Sequence, residues 1–219
     1  MENNKSTYSQ LSVLGSSFLL KIINILKFIV LFGTIIAVTP NASADEFENG
    51  MSAFEAREYH KALTIWRTLA KQDDVSAQLK IAEMYAKGLG VEQNITQAVM
   101  WLNKAVAQGS IQAEFNLGEI YGNGQGIPVD YEKSIMWYRK AAERGYAMAQ
   151  YKLGVKYFKG EGVSVDYMRS YAWMDLAAKQ EFEPSAKYRD MIASVLNPDE
   201  LKKAKGIAAQ LMKKHHQDK

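Results

Sequence analysis

The chain has 219 residues, of which 47% are hydrophobic and 23% charged, so it can form a folded core. It contains no cysteine, which excludes disulfides, a cysteine nucleophile and thiolate metal sites, and its three histidines leave little material for imidazole chemistry. A formal net charge of +3 is too small to indicate a nucleic-acid partner. The composition therefore favours a binding protein over an enzyme, and no cofactor or metal is expected.

Residues 1–44 have the features of an export signal. Lys27 precedes an uncharged apolar segment, residues 28–38, which is followed by Pro40 and by a small-x-small motif that ends at Ala44. A basic flank, a short apolar core, a helix breaker and such a motif, in this order, are typical of a secretory signal peptide. We predict cleavage after Ala44 and a mature chain in the periplasm of a Gram-negative bacterium or outside the cell.

An uncleaved membrane anchor is the alternative interpretation of the same segment. A membrane-spanning helix needs about 20 apolar residues, and Lys21 and Lys27 interrupt any stretch of that length. We therefore expect no stable membrane span after cleavage of the signal.

A 36-residue period organises the remaining chain. Alanine, tyrosine, two glycines and tryptophan each recur at this spacing over three copies, and three of the four tryptophans occupy one repeat position. The positions in register are Ala77, Ala113 and Ala149; Tyr85, Tyr121 and Tyr157; Gly88, Gly124 and Gly160; Gly90, Gly126 and Gly162; and Trp101, Trp137 and Trp173. Such self-similarity indicates a repeat architecture.

Each period is predicted to contain two helices separated by Gly-x-Gly, because apolar residues follow helical spacing and glycine ends helices readily. One helical hairpin cannot bury its own apolar face, so neighbouring hairpins must stack, with the three tryptophans in the core. We expect an all-α solenoid of about four to five helix pairs. The predicted segments are a degenerate N-terminal pair at 45–76, repeats at 77–112, 113–148 and 149–184, and capping helices with a basic tail at 185–219.

The first helix of each repeat carries residues that vary between copies on the face opposite the core. A scaffold that keeps its core and varies one face is suited to binding, and a mixture of cationic and aromatic groups suits an extended acidic or aromatic peptide. Phe115 and Phe158 are aromatic residues next to the candidate positions 116 and 159. The candidate residues are Lys80, Glu83, Lys87, Asn116, Glu119, Asn123, Tyr151, Lys152 and Lys159. Simple solvation of a mixed-charge face is the alternative.

The unit Ala-x-x-x-Leu-Gly-x-x-Tyr-x-x-Gly-x-Gly resembles the SEL-one-like repeat, a relative of the tetratricopeptide repeat. Leu117-Gly118 and Leu153-Gly154 match its Leu-Gly pair, and Ile81-Ala82 departs conservatively. The resemblance implies a right-handed α-solenoid whose first helices line a concave surface. It also implies a protein–protein adaptor role in the bacterial envelope, with another protein or peptide as the partner.

Two other functions stay open at this point. An enzyme acting on a β-lactam or on peptidoglycan would need a nucleophile–base pair, which the sequence does not offer. Some cysteine-rich relatives are associated with β-lactams, but this chain lacks their cysteines. A purely structural envelope protein is the other alternative. The basic end, Lys202 to Lys219, is interpreted as a solvated cap, with contact to anionic lipid as the alternative.

Overall fold

The computed structural model describes residues 42–124 and 126–217, and the chain divides into two units after Asp45. The helical repeats belong to the second unit, within which residues 46–124 and 126–217 are described. The predicted signal peptide lies outside the described residues except at its last three positions, and it stays a prediction. No helix in the described part of the chain is both long enough and apolar enough to cross a membrane.

The described residues form ten α-helices and contain no strand, as expected for an all-α repeat protein. The helices are α1 (Ala42–Glu55), α2 (Tyr59–Ala70), α3 (Val75–Lys87), α4 (Ile95–Ala107), α5 (Ile111–Asn123), α6 (Tyr131–Glu143), α7 (Ala147–Lys159), α8 (Tyr167–Ala178), α9 (Glu183–Val195) and α10 (Pro198–Gln217). Helices α3 and α4, α5 and α6, and α7 and α8 form the three hairpins that the 36-residue period predicts.

Polar caps and glycines set the helix boundaries locally. Asp74 and Ser110 accept a hydrogen bond from the backbone N–H three residues later, which satisfies a donor that a helix start leaves unpaired. Asn94, Asp130 and Asp166 do the same at the second helices. The first helices end at Gly88, Gly124 and Gly160, all in the left-handed conformation. The predicted glycine stops are therefore confirmed.

The two helices of a repeat approach closely where a glycine of the first faces a serine of the second. Ser134 Oγ donates to the Gly118 carbonyl oxygen at 2.8 Å, and Ser170 Oγ donates to the Gly154 carbonyl oxygen at 2.8 Å. All four residues are buried. The Leu-Gly pair of the repeat thus serves the close contact between the two helices.

A polar pair recurs at equivalent positions of all three repeats, with its first member buried and its second member exposed. Gln108 Nε2 donates to Gln78 Oε1 at 2.9 Å in the first repeat, and Gln180 Nε2 donates to Gln150 Oε1 at 2.9 Å in the third. In the second repeat the pair is ionic, with Arg144 3.2 Å from Glu114. The pair joins the start of the first helix to the loop that follows the second helix, and it gives each buried side chain at least one polar partner.

The tryptophans are not equally buried, contrary to the expectation that all three lie in the core. Trp173 is 5% exposed, whereas Trp101 and Trp137 are half-buried. Lys104 and Lys140 place their ammonium groups 4.3 and 4.2 Å from the centroids of those two rings. The difference arises because α10 covers the third repeat, where its apolar residues pack against the cluster that contains Trp173.

Two C-terminal helices pack against the third repeat. Helix α10 begins with a reciprocal capping box, in which Asn197 N–H donates to Glu200 and Glu200 N–H donates to Asn197 Oδ1. Both α9 and α10 pack against α8. Lys214, near the end of α10, forms a 3.1 Å ion pair with Glu143 of α6. The cap therefore reaches back across two repeats.

Candidate binding groove

A groove of about 560 Å³ lies between α3 and α5, the first helices of two successive repeats. Its floor is apolar and includes Leu79, Leu102 and Ile120. Six of the nine predicted binding residues line it, and we call it the α3–α5 groove. These six are Lys80, Glu83, Lys87, Asn116, Glu119 and Asn123.

Glu83 lies between two lysines of its own helix. Its carboxylate is 2.7 Å from Lys87 Nζ and 3.3 Å from Lys80 Nζ. Burial alone would raise the pKa of Glu83, but the two ammonium groups outweigh that effect, so the pKa lies below its ordinary value. Glu83 is therefore ionised at neutral pH and holds both lysines along the groove.

Glu119 connects three helices at the other wall of the groove. Lys152 of α7 forms a 2.9 Å ion pair with it, Tyr138 of α6 donates its hydroxyl hydrogen to it, and Asn123 Nδ2 lies 3.5 Å away. Burial raises the pKa of Glu119, but Lys152 and the hydrogen bond from Tyr138 lower it by more. The pKa of Glu119 therefore lies below its ordinary value. Burial and the same carboxylate raise the pKa of Tyr138. Lys152 thus joins the site through Glu119.

Tyr151 and Lys159 do not line the α3–α5 groove. Lys159 lies 3.6 Å from Glu161, at the end of α7. The Tyr151 ring contacts Phe182 and Tyr188, with centroid distances of 5.4 and 5.8 Å. The C-terminal helix α9 therefore partly covers the tyrosine that the sequence analysis assigned to the binding face.

The two phenylalanines near the candidate face are also used for packing. Phe115 is 6% exposed and its ring lies 5.7 Å from that of Tyr138 and 5.2 Å from that of Tyr146. Phe158 contacts Tyr167 at 5.5 Å. Neither phenylalanine lines the groove, so the expected aromatic anchors are absent from it, and polar and cationic groups dominate its walls.

Sequence reasoning missed Gln112, which lines the groove near the start of α5. Its amide donates to Asn116 Oδ1 at 3.0 Å, and its carbonyl oxygen accepts from the Tyr146 hydroxyl at 2.7 Å. The repeat positions equivalent to it hold Ser76 and Met148, so variation between copies was the available signal.

Across residues 42–124 and 126–217, no group of three or more His, Asp or Glu residues lies close enough together to hold a metal ion. The groove therefore offers ionic, hydrogen-bonding and apolar contacts for recognition.

The lowered pKa of Glu119 predicts a pH dependence of stability. The stabilisation is fully present above the ordinary value of 4.5 and is lost as the pH falls through the lowered pKa. We expect Glu119→Gln to lose less unfolding free energy between pH 7 and pH 3 than the wild type, as measured by urea denaturation. The control is Glu132→Gln, at an exposed position of α6. Equal pH slopes for wild type and Glu119→Gln would contradict the prediction.

Comparison with known proteins places the repeats in a family. The family model described as Sel1 repeat matches residues 75–110, 111–146 and 147–182, with the 36-residue period and with starts two residues before those we predicted. No curated protein matches the sequence significantly.

Solved structures are similar over part of the chain. A Sel1 repeat protein from Oxalobacter formigenes is 36% identical with a TM-score of 0.57, and the match covers 63% of this chain and 56% of that one. A protective antigen present in uropathogenic Escherichia coli strains, which displays an SLR fold, is 28% identical with a TM-score of 0.48. That match covers 79% of this chain and 46% of the antigen. The chain therefore spans about half the length of these two relatives.

Proposed function

We propose, from the premise that residues 75–182 belong to the Sel1 repeat family, that the chain is a non-catalytic scaffold that binds a segment of another protein. The α3–α5 groove is the single observation that carries this proposal. Six side chains that vary between repeats meet there over an apolar floor, as the binding surface of a repeat scaffold requires. The signal-like pattern of residues 1–44 supports export to the periplasm or out of the cell.

The charges of the groove indicate the kind of segment it would bind. The lining itself is balanced, with Lys80 and Lys87 against Glu83 and Glu119, and Lys152 adds a third positive charge through its ion pair with Glu119. The small positive excess favours an acidic residue on the ligand, and this preference concerns mainly specificity and association rate. An aromatic ligand residue has less support, because Tyr151, Phe115 and Phe158 pack against other aromatic side chains of the fold.

The amide groups and the length of the groove suit a short peptide segment. The amide groups of Gln112, Asn116 and Asn123 can donate to and accept from the backbone of an extended peptide. From Lys80 to Lys87 the wall extends over about two helical turns, roughly 10 Å, which is the length of about three extended residues. The groove is therefore suited to a short acidic stretch within a longer partner.

A matched pair of variants tests this function. Asn116→Glu adds a negative charge inside the groove, and Asn103→Glu makes the same change at an exposed position of α4 outside it. For an acidic peptide we expect Asn116→Glu to weaken binding about tenfold, since a like charge near the surface costs on the order of 1 kcal/mol or more. Asn103→Glu should leave the affinity unchanged.

The ligand for this measurement is obtained by photo-crosslinking in the native cell. A photoreactive residue replaces Asn116, and a second one replaces Thr68, which is exposed on α2 outside the groove. The segment captured only from position 116 is sequenced, synthesised and titrated calorimetrically against both glutamate variants. No capture specific to position 116, or equal effects of the two glutamates, would overturn the proposed function.

A further inference from the structure

A second cleft, separate from the α3–α5 groove, is lined by residues of α6, α7, α8 and α10 and has a volume of about 400 Å³. We call it the α10 cleft. Tyr157 and Trp173, both nearly buried, form aromatic walls, and Ile207 and Leu211 of α10 form an aliphatic wall. Small-molecule sites have volumes of this order and a similar mixture of apolar walls with a few polar groups.

Two arginines of the α10 cleft converge on one tyrosine. Arg139 Nη2 donates to the Tyr157 hydroxyl oxygen at 3.0 Å, and the guanidinium carbon of Arg169 lies 5.8 Å from the centroid of the same ring. Two like charges held around one ring repel each other unless an anion lies between them. The arrangement therefore favours an anionic ligand.

The acidic side chains nearby do not balance these charges fully. Asp166 lies 3.5 Å from Arg169, and Glu143, which also lines the cleft, is engaged by Lys214 at 3.1 Å. Within residues 42–124 and 126–217, Arg139 forms no ion pair; its one polar contact there is with the neutral Tyr157 hydroxyl. The guanidinium of Arg139 is thus available to a carboxylate, which its planar donors match in geometry.

We propose that the α10 cleft binds a carboxylate carried on a small apolar body. The carboxylate would lie between Arg139 and Arg169, and the apolar body would pack between Trp173 and the α10 side chains. The free acid and the C-terminal residue of a peptide share this chemistry. This site is independent of the α3–α5 groove, so either can fail without the other.

The N-terminal pair provides an internal comparison. Arg67 Nη2 donates to the Tyr85 hydroxyl oxygen at 2.7 Å, the same kind of bond as that between Arg139 and Tyr157. Arg67 does not line the α10 cleft, which owes one wall to α10. Arg67→Gln is therefore the matched control for Arg139→Gln. Each variant removes an arginine that donates to a tyrosine hydroxyl, but only Arg139→Gln removes a side chain that lines the cleft.

The first experiment titrates the purified protein with 4-phenylbutyrate and follows the indole N–H resonance of Trp173 by NMR. We expect a saturable shift of that resonance with 4-phenylbutyrate. The apparent affinity for the neutral 4-phenylbutyramide should be at least tenfold weaker. Arg139→Gln and Arg169→Gln should each weaken binding of the acid about tenfold, whereas Arg67→Gln should leave it unchanged. Both cleft arginines are exposed, so the variants should fold, which circular dichroism verifies.

The remaining arms separate the two ligand sources and allow the proposal to fail. A tetrapeptide that ends in phenylalanine is titrated with a free and with an amidated C-terminus; tighter binding than the small acid, lost on amidation, identifies a chain end as the ligand. Ile207→Trp fills the cleft without changing its charge and should abolish the shift. The absence of a shift up to millimolar probe, equal binding of acid and amide, or an equal effect of Arg67→Gln would overturn the proposal.

Discussion

Gly162→Ala is expected to lower the free energy of unfolding by about 2–5 kcal/mol, the sum of left-handed backbone strain and overpacking. Gly162 has a φ of +75°, and a Cβ built there would lie 2.7 Å from Tyr131 Cβ, 2.8 Å from its carbonyl carbon and 2.9 Å from its carbonyl oxygen. Backbone atoms cannot move aside as the end of a flexible side chain can. The loop of the third repeat must therefore separate from the start of α6 in the second repeat.

The matched control is Gly88→Ala. Gly88 has a similar φ of +70°, but a Cβ there would meet nothing closer than 3.4 Å. We expect a loss of about 1–2 kcal/mol from backbone strain alone. Urea denaturation of both variants measures the difference between them. Equal losses would mean that the close contact between repeats at Gly162 contributes nothing to stability.

Gly118→Ala is expected to destabilise the protein by about 2–4 kcal/mol through overpacking inside one repeat, at the upper end of or above the usual range. Gly118 lies in the middle of α5, where a Cβ would be 2.5 Å from Tyr138 Cδ1 and 2.6 Å from its Cε1. The ring has little freedom, because it is buried against Phe115 and its hydroxyl is bonded to Glu119. Helices α5 and α6 of the second repeat would therefore have to separate at this contact.

The same substitution elsewhere serves as the control. Gly206 lies on an exposed part of α10 with nothing within 4 Å of its Cβ position. Gly206→Ala should raise the free energy of unfolding by about 0.5–1 kcal/mol, because alanine is the better helix former. A loss at Gly206 or a gain at Gly118 would contradict the packing account.

The first repeat supplies a rescue for Gly118→Ala. In that repeat Ala82 stands at the position of Gly118, and Leu102 stands at the position of Tyr138. The larger alanine is thus accompanied by a leucine, which is smaller than tyrosine. We expect the double variant Gly118→Ala with Tyr138→Leu to be more stable than the two single losses predict, with a coupling of about 1 kcal/mol or more. Strict additivity would show that the two positions do not share the contact.

The sequence was informative wherever the interaction is local or repeated. Helix starts at Asp74 and Asp130 depend on a side chain three residues from its partner, and the ends at Gly88 and Gly124 depend on one glycine. The period itself places equivalent residues in equivalent contacts. For these reasons the hairpins, their order and the repeat family could be predicted before any coordinates.

The candidate site was predictable only in part. Variation between copies singled out Lys80 and Glu119, which line one groove because they lie on successive first helices. It could not show that Tyr151 meets Tyr188 or that Phe115 meets Tyr146. The first contact involves the non-repeated C-terminal segment, which the period does not describe. The second joins two neighbouring first helices, which the pattern of one repeat does not show.

By itself, then, the amino-acid sequence determined that this chain forms stacked helical hairpins and that the first helix of each repeat ends at a glycine, since glycine conformation and helical periodicity act over a few residues. Only the tertiary structure decided which outward-facing positions stay open. Helices α9 and α10 pack back onto α8, and this packing covers Tyr151, buries Trp173 and closes the wall of a cleft beside Arg139. Burial of apolar surface between segments distant in sequence drives that choice, and no local pattern encodes it.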